Sequence, residues 1–313
     1  MTTQKKLVIG TRGSPLALAQ AYETRDRLLA AHPDRLNKDD LEIRTIKTTG
    51  DQIQDRALSE AGGKGLFVKE IEEAMMQGEI DIAVHSMKDM ETTLPDGLVI
   101  NCILPREDTR DAFISRDGKG LADLPPGAMV GTSSLRRQSQ ILNRRPDLQV
   151  CIFRGNVQTR LRKLDEGVAD ATLLAMAGLK RLDREDVITH PLSHEDMLPA
   201  VAQGAIGIQH REDDTRIGEL LAAIDHEDSR IRITCERAML AELDGSCRTP
   251  IAGHAVLVGE DEIELWASLL SPDGTQRFDT RGTALRKDAV ALGTRLGREL
   301  RDMAGDDFPS FQI

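Results

Sequence analysis

The stretch Asp81-Ile82-Ala83-Val84-His85-Ser86-Met87-Lys88-Asp89 decides how the whole chain is read. With Ile80 ahead of it, it opens as a short apolar, β-branched run of the kind that forms a buried strand. It closes on four polar groups, His85, Ser86, Lys88 and Asp89. In open α/β sheets ligands sit beyond the carboxyl ends of the strands, so a site is expected here. Asp89 beside Lys88 reads either as a charge-stabilising carboxylate and proton shuttle or as half of an ordinary loop ion pair.

Upstream, residues 6–11 predict a strand. Ser14-Pro15 then starts a helix, a hydroxyl N-cap followed by proline at the first helical position, which stops by Pro33. Residues 41–48 alternate apolar and polar as a second strand does. Residues 49–65 are polar and rich in glycine, and read as a mobile loop over a site or as a plain surface connection. Residues 67–77 have helical period and deliver the chain into the Asp81 strand.

Downstream, strands at 98–104 and 111–115 lead out of one domain and into another. The β-α alternation then restarts: strand 128–131, helix 135–144, strand 148–153, helix 157–166, strand 171–175, helix 176–182. That spacing predicts a second open α/β sheet. Residues 201–209 read as a strand returning to the first domain, and 216–224 and 229–243 as helices. After a tight loop at 244–250, residues 255–258, 262–270 and 275–283 predict three antiparallel strands. Gly259-Glu260-Asp261 and Pro272-Asp273-Gly274 are their hairpin connections, and a helix from 285 to about 303 closes the chain. At 313 residues the chain is too long for one ordinary core. The expectation is an α/β protein of three domains: residues 1–104 with 200–222, residues 105–199, and a smaller α+β domain over 223–313 with a three-stranded antiparallel sheet.

Apolar content of 40% with 30% charged residues fits a globular protein. The first ten residues hold no apolar run long enough for a signal peptide, and no later run approaches a membrane span, so a cytoplasmic protein without a membrane partner is expected. A net charge of −11 and only 3% aromatic residues weigh against a nucleic-acid partner. The average hides a reversal: residues 131–163 carry eight basic side chains against the single acid Asp147. An acidic protein with one concentrated arginine region points to a polyanionic small ligand.

Two connections in that region have the form of anion cradles. Thr132-Ser133-Ser134 leads from a strand into a helix that bears Arg136 and Arg137, and Arg154-Gly155-Asn156 repeats the arrangement at the next strand end. Of the four cysteines, Cys247 lies in a Gly/Ser loop beside Arg248, which favours an accessible thiolate. Cys102, Cys151 and Cys235 sit in apolar or helical runs and read as buried and inert. The seven histidines show no metal-ligand spacing, and His85 reads as an orienting or hydrogen-bonding residue; no metal is expected.

With these segments in hand the chain resembles the porphobilinogen deaminase (hydroxymethylbilane synthase) family. The likeness runs from Gly10-Thr11-Arg12-Gly13-Ser14-Pro15-Leu16-Ala17 through Gly63-Lys64-Gly65-Leu66-Phe67 and Val84-His85-Ser86-Met87-Lys88-Asp89. It continues through Gly131-Thr132-Ser133-Ser134-Leu135-Arg136-Arg137, Arg154-Gly155-Asn156-Val157 and Ala177-Gly178-Leu179-Lys180-Arg181 to the Cys247 loop. Departures are Met90-Glu91 where Val-Pro is common, Ala202 where Gly is common, and Gly245-Ser246 where two glycines are frequent.

The resemblance implies two α/β domains similar to periplasmic binding proteins and a third domain bearing the reactive cysteine. It implies that Cys247 holds a dipyrromethane cofactor through a thioether, as primer for the addition of four porphobilinogen units with loss of ammonia. Loss of ammonia leaves an electrophilic azafulvenium, so Asp89 is the implied catalytic carboxylate, stabilising positive charge near the pyrrole nitrogens. Around the cofactor the implied contacts are Ser86, Lys88, Thr132, Ser133, Ser134, Arg136, Arg137, Arg154, Gly155 and Asn156. For the carboxylates of porphobilinogen they are Arg12, Ser14, Lys64, Arg160, Arg181 and Gln203. A monomer is the implied state, with a possible hand-off of product to uroporphyrinogen III synthase. A solute-binding α/β protein without catalysis is the competing reading; it explains the arginines and leaves Cys247 and the third domain without a purpose.

Overall fold

The computed structural model describes residues 6–52, 65, 67–243, 249–305 and 308. In chain order the first elements are β1 (Leu7–Thr11), α1 (Pro15–Ala31), β2 (Leu41–Thr45), the single turn α2 (Thr49–Gln52), α3 (Lys69–Met76), β3 (Ile82–Ser86) and β4 (Leu98–Ile103). Next come β5 (Asp111–Ser115), β6 (Met129–Gly131), α4 (Leu135–Arg144), β7 (Gln149–Cys151), α5 (Val157–Asp165), β8 (Ala171–Ala175), α6 (Met176–Arg181) and β9 (His190–Pro191). The last are β10 (Ile206–Arg211), α7 (Thr215–Ala222), α8 (Glu227–Glu242), β11 (Ile251–Val258), β12 (Glu262–Leu270), β13 (Arg277–Leu285) and α9 (Ala289–Ala304). Two compact units result, one built on Met1–Ile53, Gly63–Glu107 and Ala205–Arg230, the other on Asp108–Gly204 and Ile231–Ile313.

In the first unit the sheet order is β2-β1-β3-β10-β4. β1 runs parallel to β2 and β3, and β10 runs antiparallel to both β3 and β4. Successive side chains of β3 enter opposite layers, as a strand period of two requires. Ile82 and Val84 pack with Ile9, Leu28 and Leu220, while Ala83 packs with Val8, Ile71 and Met75. Asp81, at the head of β3, is a structural residue: its Oδ2 accepts the Val8 N–H at 2.9 Å and its Oδ1 lies 3.4 Å from Arg211. The strand geometry therefore brings the carboxyl ends of β1, β3 and β4 and the start of β10 to one edge.

The second unit holds a sheet ordered β7-β6-β8-β5-β9 and a meander β11-β12-β13. β6 is parallel to β7 and β8, and β5 antiparallel to β8, so Gly131, Cys151, Ala175 and Asp111 share an edge. Gly293 and Gly297 let α9 press against α8, where a Cβ would collide with backbone. The β12–β13 turn is gripped by α4, whose Gln138 and Asn143 donate to the carbonyls of Pro272 and Gly274.

Several boundaries differ from the sequence expectation, each for a local reason. The strand expected over 201–209 starts only at Ile206, because Ala202 and Gly204 take φ of +61° and +86° and turn the chain first. The loop expected from Thr49 begins as the α2 turn, whose Thr49 N–H and hydroxyl both bond Glu70; residues 53–64 of that expectation lie outside the described residues. β11 begins at Ile251 rather than 255, and Gly253 within it leaves room for Met239. β13 starts at Arg277, not 275: Thr275 belongs to the turn, its N–H and hydroxyl bonded to Asp273. Leu285 ends β13, paired with Glu262, and a 3-10 turn over Arg286–Asp288 precedes α9, which therefore starts at Ala289 and not at 285. Strands β2 and β7 are shorter than their apolar patterns suggest, and β9 has no sequence signal. Cys151 is half-buried rather than buried like Cys102 and Cys235, which burial pushes up to about 12.

Candidate functional site

At the carboxyl edge of the first unit a pocket of about 90 Å³ is lined by Arg12, Ser14, Gln20, Phe67, His85, Ser86, Lys88 and Asp89. Local rules place each group. β1 ends at Thr11, leaving Arg12 in the connection, and the Ser14 hydroxyl caps α1 by accepting the Ala17 N–H at 3.3 Å. The Arg12 guanidinium lies 4.2 Å above the ring of Phe67, a cation–π contact that fixes its plane. β3 ends at Ser86, whose hydroxyl bonds the Gln20 amide at 2.9 Å. A 3-10 turn, Met87–Asp89, follows; it buries Met87, half-buries Lys88 and leaves Asp89 exposed.

Met87 can seat under this turn because Gly207, opposite His85 on β10, has no side chain. His85 itself bonds Gln209 at 3.0 Å, and burial brings its pKa down to about 4, so the ring is neutral at pH 7.

At the matching edge of the second unit the two connections are built as capped helix starts. Ser134 Oγ accepts the Arg137 N–H, Thr132 Oγ1 accepts the Ser134 N–H at 3.1 Å, and Ser133 Oγ accepts the Phe153 N–H at 3.0 Å. Asn156 caps α5 through the Thr159 N–H at 2.9 Å, after Gly155 at φ +124°. Arg160 donates through Nε to the Gly155 carbonyl at 2.9 Å, and Arg181 to the Gly204 carbonyl at 3.1 Å. Arg154 is 9% exposed.

Arg136, Arg137 and Gln203 converge on a residue that sequence reasoning missed. Asp111, at the first position of β5 and fully buried, accepts from Arg136 Nη2 and Arg137 Nη2 at 2.7 Å each and from Gln203 Nε2 at 2.9 Å. Burial alone would raise the Asp111 pKa; the two guanidinium groups outweigh it and hold the carboxyl well below the usual range. The Nε atoms of Arg136 and Arg137 are buried without a hydrogen-bond partner. An Asp 25 residues upstream carries no local signal of this pairing. Phe67 and Gln20 were also missed; Phe67 had a signal in the 63–67 motif, Gln20 none. Lys64 and Cys247 lie outside the described residues.

Two open α/β sheets, each gathering cations, hydroxyls and capped helix starts at the strand ends, make a class of α/β protein suited to carboxylated ligands, and the exposed carboxylate Asp89 adds a chemical group to the first edge. Comparison with known proteins narrows the class. Residues 7–219 match the family model described as porphobilinogen deaminase, dipyromethane cofactor binding domain, and residues 230–302 match its C-terminal domain. The porphobilinogen deaminase of Paracoccus denitrificans is 57% identical over 305 residues, covering 97% of this chain and 96% of the relative. The chloroplastic enzyme of Pisum sativum is 56% identical over 303 residues, 96% of this chain and 82% of its own. A periplasmic binding protein of Salmonella typhimurium superposes only loosely, with TM-score 0.41 and 14% identity over 71% of this chain and 92% of its own. The chain belongs to the porphobilinogen deaminase family and is a transferase of tetrapyrrole biosynthesis with a dipyrromethane-cofactor-binding domain.

The described residues suit that cofactor. A dipyrromethane with an acetate and a propionate on each ring is a compact polyanion, and the second-unit edge offers arginines, hydroxyls and two unpartnered buried Nε–H groups.

Proposed function

We propose that the pocket beyond β3 is the site of the transferase chemistry, with Asp89 as its catalytic carboxylate and Cys247 as the thioether anchor of the cofactor. The reaction joins four porphobilinogen molecules head to tail, with loss of ammonia, and releases hydroxymethylbilane by hydrolysis. The observation that carries the proposal is the position of Asp89: it follows directly on β3 and shares one pocket with Arg12, Ser14, Ser86 and Lys88.

Bound dipyrromethane supplies the primer on which each new unit is placed. Arg12, pre-set by its stack on Phe67, neutralises substrate carboxylates, and Lys88 those of the cofactor. Lys64, Arg160 and Arg181 extend that role, with Ser14 and Gln203 as polar contacts. Asp89 faces the positive charge that develops near the pyrrole nitrogens as ammonia leaves and assists the proton transfers. Ser86, Thr132, Ser133, Ser134, Arg136, Arg137, Arg154, Gly155 and Asn156 hold the cofactor carboxylates through hydroxyl, backbone and guanidinium donors.

We further place the protein in the cytoplasm as a monomer that hands its product to uroporphyrinogen III synthase. No helix among the described residues is long and apolar enough to cross a membrane. Asp89→Ala is the test of the catalytic role: porphobilinogen binding is retained and turnover falls by roughly 10² or more. Near-normal turnover would remove Asp89 from the mechanism.

A further inference from the structure

We propose that His85 is a further binding residue of this pocket, its Nδ1 accepting a hydrogen bond from an N–H group of the substrate, and that Glu72 and Gln209 set the ring for that task. The inference rests on the reading of the pocket as the porphobilinogen site.

Three side chains form a line across the first unit. Glu72 Oε1, on α3, accepts from Gln209 Nε2 at 2.9 Å, and Gln209 Oε1, on β10, meets His85 Nε2 at 3.0 Å. A carboxylate has only acceptors, so it takes the NH₂ end of the amide. The amide oxygen is then left facing His85, and the ring nitrogen it meets must carry the hydrogen. Gln209 is fully buried and His85 is 5% exposed, so neither has water to replace these partners. Burial keeps the ring neutral, and the Arg12 guanidinium adds to that effect. A neutral imidazole protonated at Nε2 has its lone pair on Nδ1, which no described residue bonds.

His85 lines the same pocket as Arg12, Lys88 and Asp89, and Arg12 is close enough for its charge to act on the ring. Arg12 and Lys88 are donors, suited to carboxylates. Asp89 and the Nδ1 lone pair are acceptors, suited to the pyrrole N–H and the aminomethyl ammonium of porphobilinogen. A neutral acceptor selects an N–H without adding a second negative charge beside Asp89, so the two kinds of substrate group are sorted by two kinds of partner.

The test uses ¹⁵N-histidine-labelled holoenzyme, with the His85 signals assigned by their loss in His85→Gln. At pH 7 Nε2 is expected to be protonated and Nδ1 not, and the Nδ1 resonance is expected to move upfield when porphobilinogen is added. In Glu72→Gln, where a second amide no longer dictates the orientation of Gln209, the tautomers mix and KM rises up to roughly tenfold with kcat nearly held. An Nδ1–H tautomer, an imidazolium at pH 7, or an Nδ1 signal that stays in place while porphobilinogen is consumed would each overturn the inference and leave the site reading intact. A Glu72→Gln enzyme with lower thermal stability but unchanged KM would do the same. Porphobilinogen neither bound nor consumed by the holoenzyme would overturn the site reading and this inference with it.

Discussion

Met87 Sδ occupies the space in which a side chain on Gly207 would begin, so the turn that carries Lys88 and Asp89 is seated on a missing side chain. The Met87 N–H is also fixed, donating to the Ala205 carbonyl at 3.0 Å. Gly207→Ala is expected to push Met87 out, cost about 1–3 kcal/mol, and lower kcat by shifting Asp89. Met87→Ala alone leaves a cavity and costs about 2–5 kcal/mol. In the double variant the two faults offset each other, so its destabilisation in urea falls short of the sum of the singles. Simple additivity would show that the two residues do not share this space.

Ala202 adopts φ +61°, a region that an L-residue enters at a cost of about 1 kcal/mol. It is buried, and its N–H is held by Glu236 Oε2 at 2.6 Å. The same turn leads into Gln203 and so into the Asp111 cluster. Ala202→Gly removes the strain and is expected to raise stability by up to about 1 kcal/mol, the looser unfolded chain taking some of it back. Thermal unfolding checks the sign.

The Asp111 cluster separates folding from binding among the arginines. Arg137→Leu strands a buried carboxylate between fewer partners, and is expected to cost roughly 3–5 kcal/mol of stability along with cofactor affinity. Arg160 is half-buried and donates to the nearby Gly155 carbonyl rather than to a buried carboxylate, so Arg160→Gln is expected to raise KM while unfolding is nearly unchanged. Equal destabilisation by the two would contradict the distinction.

His85 gives a pH signature. Its folded pKa of about 4 lies below the unfolded value of about 6.5, so the unfolded chain binds a proton in that window and the folded protein does not. The His85 contribution to stability is complete above pH 6.5 and is lost as pH falls towards 4, by about 3 kcal/mol in all. His85→Gln should flatten the urea midpoint between pH 6.5 and 4; an unaltered slope would mean that the ring is protonated in the fold.

Much of this was legible in the sequence because the signals were local. The bounds of β5, α4, β8 and β12 follow from apolar period and from caps such as Ser134, and the place of Asp89 just beyond a buried strand follows from the same kind of pattern. What was not legible is held by distance along the chain. Arg136 and Arg137 read as parts of an anion cradle, and their bond to Asp111 depends on β5 lying antiparallel to β8. The Gln209 link from His85 to Glu72 spans more than 100 residues, and nothing local to any of the three marks it. The start of β10 was misplaced because an alanine took a backbone conformation usually left to glycine.

The central claim, a dipyrromethane primer on Cys247 serving chemistry at Asp89, is tested most directly by the intact mass of the native protein beside Cys247→Ser. The account predicts an excess equal to two porphobilinogen units less two ammonias in the native protein and none in the variant. A native protein that shows only its polypeptide mass, even after incubation with porphobilinogen, or an excess that persists in Cys247→Ser, would contradict it.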